Sequence, residues 1–117
     1  MGQKRKLAVD FDGVIHECRP GDWEGIGVAN GQMVYRAAHF LRLLSFDYKI
    51  IIHSCRAVHP DGVEAIRKFC ARHQVPFDDI VSVKPAAAMY IDDKGYKFDT
   101  WPNASRAVQK RLEKGDK

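Results

Sequence analysis

Four short apolar segments of the chain each stop at polar or charged residues, and this pattern constrains the fold more than any other feature. Apolar runs of this length, rich in Val and Ile, favour buried β-strands. The carboxyl ends of parallel strands meet at one edge of a sheet, so we expect the polar groups that follow them to lie together. The segments are 7–9 before Asp10, 50–52 before His53 and Ser54, 80–83 before Lys84, and 89–91 before Asp92 and Asp93.

Segments with helical periodicity separate the predicted strands. Apolar residues recur at helical spacing over residues 32–45, 60–75 and 104–112. Alternating strands and helices predict an α/β fold, a three-layer Rossmann-like parallel sheet with helices on both faces. Residues 16–31 contain four glycines, a proline and mixed charges without sustained periodicity, which predicts a flap loop beside the site.

The size and composition of the chain limit the classes of function. A chain of 117 residues has room for one domain, which we expect to span residues 1–117. No apolar stretch approaches the length of a membrane span, so no membrane partner is expected. Three cysteines cannot all pair within one chain and no signal-peptide pattern is present, which favours a cytoplasmic protein. The net charge of +4 suits an anionic ligand, while nucleic acid is possible but not favoured.

The acidic residues at the strand ends predict a metal site. Asp10 and Asp12 are two residues apart, so both side chains point to the same side of an extended segment. Gly13 allows the backbone to turn tightly and approach a ligand closely. Carboxylates that crowd together with Asp92 and Asp93 repel one another unless a cation lies among them. Mg²⁺ fits, because it takes oxygen ligands and retains waters that a phosphate can replace.

Taken in order, these residues resemble the motifs of the haloacid dehalogenase-like (HAD) superfamily of aspartyl-phosphate-forming phosphatases. The first motif, a strand followed by Asp-x-Asp-Gly, resembles residues 7–14 (LAVDFDGV), although Val14 stands where Thr is commoner. The second, a strand ending in Ser or Thr, resembles residues 50–54 (IIIHS), the third is Lys84, and the fourth resembles residues 90–93 (YIDD). The resemblance covers most of the chain and implies a HAD-like core without a cap domain, because neither usual insertion point holds a segment long enough.

The resemblance implies a magnesium-dependent phosphomonoesterase. Asp10 would attack phosphorus to form an aspartyl phosphate, and Asp12 would protonate the leaving oxygen and then activate water. Ser54 would donate a hydrogen bond to a phosphoryl oxygen, and Lys84 would offset negative charge. The implied substrate is a small phosphorylated metabolite or nucleotide.

The resemblance also assigns the metal ligands. Mg²⁺ would be held by Asp10, the backbone carbonyl of Asp12, and Asp92. Asp93 would lie in the outer sphere or orient a bound water. A zinc site is the less favoured alternative, because no Cys-x-x-Cys spacing accompanies the pairs of imidazole and thiolate. Those pairs are His16 with Cys18, His53 with Cys55, and Cys70 with His73.

Substrate contacts are expected from the flap and from the segment after the second strand. Without a cap, the site would be open or closed by a neighbouring subunit, in a monomer or a homo-oligomer. Trp101 is expected to pack in the core rather than to bind substrate. The predicted substrate-binding residues are Gly13, His16, Glu17, Arg19, Trp23 and Arg56.

Two other functions remain open. A phosphorylated signalling receiver also combines this sheet type with Mg²⁺ and an acceptor Asp. However, in a receiver the acceptor ends the third strand, where this chain has Lys84. A module that acts on a phosphorylated macromolecule, such as a nucleic-acid end, would show steeply salt-dependent binding.

Overall fold

The computed structural model describes residues 4–19, 21–92 and 96–113. Within these residues, five parallel strands form one sheet in the order β3-β2-β1-β4-β5. The strands are β1 (Arg5–Asp10), β2 (Tyr48–His53), β3 (Asp79–Val81), β4 (Met89–Asp92) and β5 (Tyr96–Lys97). The predicted parallel sheet is therefore confirmed, with β5 as an additional edge strand that the sequence pattern did not predict.

The central strands are covered on both faces. Consecutive residues 7–9 of β1 and 50–52 of β2 are all buried. Because successive side chains of a strand point to opposite faces, each face must be covered by other parts of the chain. This burial confirms the predicted three-layer arrangement.

In the part of the chain that the structure describes, three α-helices and one 3-10 helix pack around the sheet. They are α1 (Ala37–Leu44), a 3-10 helix (Cys55–Val58), α2 (Pro60–His73) and α3 (Trp101–Glu113). None of the helices in the described ranges has both the length and the apolarity that a membrane crossing requires.

Two helices begin at positions that differ from the sequence prediction. Helix α1 begins at Ala37 rather than near residue 32, because Arg36 adopts a left-handed conformation with φ of 61°. Helix α3 begins at Trp101 rather than at residue 104, and the N–H of Asn103 donates to the Thr100 hydroxyl at 3.4 Å. Pro102 is compatible with this start, because the first turn of a helix does not need its N–H.

Strand register places the polar ends of the strands side by side. Val9 of β1 is level with Ile52 of β2 and with Ile91 of β4. Asp10 and Asp92, one residue further along each strand, therefore lie next to each other at the carboxyl edge. On the other side of β2, the N–H of Ser54 donates to the carbonyl of Val81 at 3.0 Å.

The flap of residues 16–31 contains no helix or extended strand among its described residues, as predicted. Backbone hydrogen bonds close it at its base, from Glu17 N–H to Gln32 O and from Val34 N–H to Ile15 O, both at 2.8 Å. Beneath this base, the buried Trp101 donates its indole N–H to Val14 O at 2.9 Å. This confirms that Trp101 packs in the core, and it ties α3 to the loop that follows β1.

Candidate active site

A cavity opens at the carboxyl edge of the sheet, where β1 and β4 end. Its volume is about 190 Å³. The structure therefore brings together three of the predicted acidic residues around one space large enough for an ion and a phosphoryl group. The described residues in its walls are Asp10, Asp12, Gly13, Val14, Asp92, Lys97 and Phe98.

Asp10 is partly buried at the end of the central strand. Burial raises the pKa of its carboxyl from 3.8 to about 6, opposed by the N–H of Phe11, which donates to Oδ1 at 2.8 Å, and by nearby His53. The negative charges of Asp12 and Asp92 raise this pKa further. Burial and these negative charges thus disfavour the ionised form of Asp10, which a divalent ion in the cavity would stabilise.

Lys84 contacts Asp92, which is one of the residues that line the cavity. Its Nζ lies 3.2 Å from Asp92 Oδ2, and it also lies 4.5 Å from the centre of the Tyr90 ring. The Tyr90 hydroxyl donates to Pro85 O at 2.6 Å and accepts from Ala87 N–H at 3.2 Å, which fixes the segment that follows Lys84. The predicted lysine therefore lies beside the acidic cluster and remains partly exposed.

Both carboxylate oxygens of Asp12 are bound by other side chains. Arg56 donates from Nε to Oδ2 at 2.8 Å and from Nη2 to Oδ1 at 3.0 Å, a bidentate ion pair. His16 Nδ1 lies 2.9 Å from Oδ1. Gly13, in the turn that follows, has φ of +84°, which a residue without Cβ adopts at little cost. The turn and these bonds fix the orientation of Asp12 beside the cavity.

Arg56 is buried, with 1% of its surface exposed, and it faces the flap. Its Nη1 donates to the carbonyls of Gly25, Ile26 and Val28 at 3.1, 2.9 and 2.8 Å. The Trp23 ring covers the guanidinium, with its centre 4.4 Å from Cζ. The sequence prediction had Arg56 contact substrate, whereas the structure directs its Nε, Nη1 and Nη2 to Asp12 and to the flap.

Ser54 and Gly62 place Arg56 at this position. The buried Ser54 hydroxyl accepts the N–H of Arg56 at 3.2 Å and so caps the 3-10 helix. Gly62 of α2 lies so close that a Cβ there would fall 1.8 Å from the Arg56 carbonyl oxygen. Close packing of α2 against the 3-10 helix therefore holds the backbone from which Arg56 extends.

His16 joins the loop after β1 to the far end of the flap. The N–H of Gly31 donates to Nε2 at 2.9 Å, so the ring proton is assigned to Nδ1, which faces Asp12. The ring is buried and stacks on Phe11 at a centroid distance of 5.3 Å. His16 is thus bonded at both nitrogens and acts as a link between Asp12 and the flap.

The zinc alternative can be compared with these contacts. Within the described part of the chain, Asp12, His16 and Cys18 bring possible ligand atoms within 4.8 Å of one another. However, Arg56 places a positive charge on Asp12, and burial together with the charge of Asp12 raises the pKa of the Cys18 thiol. Burial also raises the pKa of Cys70 to about 12, which disfavours its thiolate. These groups suit a hydrogen-bonded network better than a zinc centre.

The remaining predicted residues lie outside the cavity or outside the described residues. Trp23 is half exposed over Arg56, Glu17 lies in the flap with Arg19, and Asp93 lies outside the described residues. Sequence reasoning missed Lys97 and Phe98, which line the cavity from β5 and the residue after it. The sequence signal for β5 was weak, because this strand has only two residues and begins four residues after the end of β4.

No protein-family model and no curated protein matches the chain. Among solved structures, a chain from Vibrio cholerae is similar, with 21% identity, a TM-score of 0.59, and coverage of 95% of this chain and 98% of that one. Two chains from structures of the Pnkp1/Rnl/Hen1 complex, in one case named as an RNA repair complex, are also similar, with 21% and 18% identity and TM-scores of 0.55 and 0.56. They match 80% and 94% of this chain, which spans only 30% and 32% of theirs. At these identities the likeness shows a shared fold.

Proposed function

We propose that the chain is a small, capless HAD-like phosphatase that hydrolyses phosphomonoesters through an aspartyl phosphate on Asp10. The observation that carries this proposal is the cavity in which Asp10 and Asp92 lie side by side, with Lys84 bonded to Asp92. Asp10, Lys84 and Asp92 come from three separate segments of the chain. Their order along the sequence matches the HAD-like motifs, and the fold that they require is present.

The donor set fits Mg²⁺. Asp10 and Asp92 offer carboxylate oxygens to one cavity, and burial raises the pKa of Asp10 in the absence of a cation. These two side chains, with the backbone carbonyl of Asp12, would hold the ion, and Asp93 is proposed to support it from outside. When bound, Mg²⁺ neutralises charge on the transferring phosphoryl group.

The chain's own residues would divide the reaction into two steps. A carboxylate oxygen of Asp10 attacks phosphorus, the bond to the leaving oxygen breaks, and that oxygen takes a proton from Asp12. Asp12 then removes a proton from water, which attacks the aspartyl phosphate and releases inorganic phosphate. Arg56 and His16 hold the Asp12 carboxylate in one orientation for both steps. Ser54 and Lys84 are proposed to contact phosphoryl oxygens.

The proposed substrate is a small phosphorylated metabolite or nucleotide. A cavity of about 190 Å³ accommodates a phosphoryl group and an ion, so the rest of the substrate extends past the flap. A phosphorylated nucleic-acid end is the second candidate, supported by the fold shared with chains of an RNA repair complex. A receiver is less favoured, because Lys84 follows β3 where a receiver has its acceptor Asp.

Substitution of the nucleophile tests the proposal. Asp10→Asn is expected to reduce phosphate release from p-nitrophenyl phosphate by at least about 1,000-fold, since removal of a covalent nucleophile has effects of this size or larger. The same charge change at exposed Asp47, which precedes β2 at the opposite edge of the sheet, serves as the control and is expected to leave turnover unchanged. EDTA should stop turnover and Mg²⁺ should restore it.

Circular dichroism would establish that both variants are folded. Retained turnover in folded Asp10→Asn protein would refute the nucleophile assignment, and restoration by Zn²⁺ alone would refute the metal assignment. A phosphoryl group that stays on Asp10 for hours without release would favour the receiver.

A further inference from the structure

The two tryptophans of the chain have opposite environments. Trp101 has 0% of its surface exposed and donates its indole N–H to Val14 O. Trp23, in the flap, is 50% exposed and is flanked in the sequence by Asp22 and Glu24. Because half of the Trp23 side chain remains in contact with water, a flat apolar group of a ligand could still cover the exposed part of the indole.

Trp23 is held in place by a rigid charged group beneath it. Its ring centre lies 4.4 Å from Cζ of Arg56. That guanidinium is immobilised by its bidentate pair with Asp12 and by its bonds to the flap carbonyls. The cation–π contact therefore favours this position of the indole before any ligand binds. A preformed aromatic surface loses little entropy when a second flat group stacks on it.

The same arginine links Trp23 to the proposed phosphate cavity. Nε and Nη2 of Arg56 lie 2.8 and 3.0 Å from the oxygens of Asp12, which lines that cavity. Trp23 and the cavity are thus separated by one guanidinium group and one carboxylate. A ligand with its phosphate beside Asp10 and a planar ring on Trp23 would have to span this ion pair.

We propose that Trp23 is a stacking site for the base of a nucleoside monophosphate whose phosphate occupies the Asp10–Asp92 cavity. The phosphate end of this assignment rests on the proposed function. The charge of the flap favours a single nucleotide over a longer strand, because Asp22 and Glu24 flank Trp23 in the sequence and, together with Glu17, line a pocket in the flap. A second phosphate beyond the base would approach these acidic side chains.

Kinetics with matched substrates test the assignment. Adenosine 5′-monophosphate and ribose 5-phosphate carry the same phosphate and sugar, and only the first has a base. Trp23→Ala is expected to lower kcat/KM for the nucleotide by about 10- to 100-fold, the usual effect of losing one base–aromatic stack. The loss for ribose 5-phosphate should be small, and Trp23→Phe should restore much of the preference for the nucleotide.

The ratio of the two losses separates stacking from a structural role. If Trp23 only stabilised Arg56 and the flap, both substrates would lose activity equally, and the inference would be wrong. Equal activity of wild type and Trp23→Ala on the nucleotide would also overturn it. Phe46→Ala is the control, because Phe46 is an exposed aromatic residue just before β2 at the other edge of the sheet. This substitution should leave kcat/KM unchanged for both substrates.

A binding measurement distinguishes failure of this inference from failure of the proposed function. Adenosine 5′-monophosphate should quench indole emission in Asp10→Asn protein, ribose 5-phosphate should not, and the quenching should disappear when Trp23→Phe is added. Quenching without phosphate release by wild type would support the stacking site and refute the phosphatase. Phosphate release without quenching or base preference would support the phosphatase and refute the stacking site.

Discussion

The two sides of the loop after β1 differ in how their charged groups are used. On the β4 side, Asp10 and Asp92 face a cavity, and the Lys84 side chain beside them is 39% exposed. On the flap side, Asp12 is bonded to Arg56, whose side chain is 1% exposed. Charges on the first side remain accessible to an ion or a phosphate, whereas the charge of Arg56 on the second side is used to hold Asp12 and the flap. The comparison separates groups that can act on a ligand from groups that position them.

Removal of Arg56 should have the largest effect on stability. Arg56→Met leaves Asp12 without its bidentate partner and the flap carbonyls without a donor, so we expect a loss of about 2–3 kcal/mol in the free energy of unfolding. Urea unfolding followed by circular dichroism measures this loss. The matched control is Arg67→Met on the exposed face of α2, with an expected change within about 0.5 kcal/mol.

Limited proteolysis sharpens the same prediction. Cleavage of Arg56→Met should begin within residues 16–31, because the arginine ties that segment to the sheet. Equal stability and equal cleavage of the Arg56 and Arg67 variants would show that the flap side is not held by this arginine.

The pKa of Asp10 predicts a smaller effect of opposite sign. Its pKa in the folded protein is about 6, against an ordinary value of 3.8, so the folded state retains a proton that the unfolded chain releases between these values. Without metal, wild type therefore loses stability as pH rises through this window, whereas Asp10→Asn does not. We expect the variant to be more stable than wild type at pH 7 by about 1–2 kcal/mol. This value is smaller than the full pKa shift would give, because solvent screens the partly exposed carboxyl of Asp10.

Thermal unfolding in EDTA from pH 4 to 8 measures this difference. It should vanish near pH 4, and Mg²⁺ at pH 7 should stabilise wild type but not Asp10→Asn. A variant that is less stable than wild type at pH 7 in EDTA would contradict the account in which burial and acidic neighbours disfavour the Asp10 carboxylate.

Lys84 should contribute least to stability. Its ion pair with Asp92 is partly exposed, and such pairs contribute at most about 1 kcal/mol. Lys84→Met should therefore change the urea midpoint little and yet reduce phosphate release strongly. A large loss of stability with full activity would reverse the roles assigned to the two sides of the loop.

The sequence predicts the sheet well because its central strands are continuous apolar runs. Residues 7–9 and 50–52 are buried on both faces of the sheet, so every one of these residues is apolar. The positions of Asp10 and Asp92 follow from the rule that parallel strands end at one edge. Helix starts were less predictable. The left-handed conformation of Arg36 and the cap at Thr100 depend on local backbone geometry, although Thr100 before Trp101-Pro102 was a usable signal.

The role of Arg56 could not be predicted from its spacing. An arginine two residues after a strand-end Ser is expected to be exposed and available for phosphate, because buried arginines are rare. Its burial depends on carbonyls of Gly25, Ile26 and Val28, which an irregular loop presents from roughly thirty residues away. The spacing of apolar residues predicts which face of a helix or strand is buried. An irregular loop has no such spacing, so its contacts with Arg56 could not be predicted.

The position of a bound divalent ion tests the central claim most directly. Mn²⁺ substitutes for Mg²⁺ at oxygen sites and can be located by anomalous scattering in a crystal. The account predicts one strong peak between the carboxylates of Asp10 and Asp92, which Asp92→Asn removes. A peak at Asp12, His16 and Cys18 instead, or no peak at a Mn²⁺ concentration that supports turnover, would contradict it.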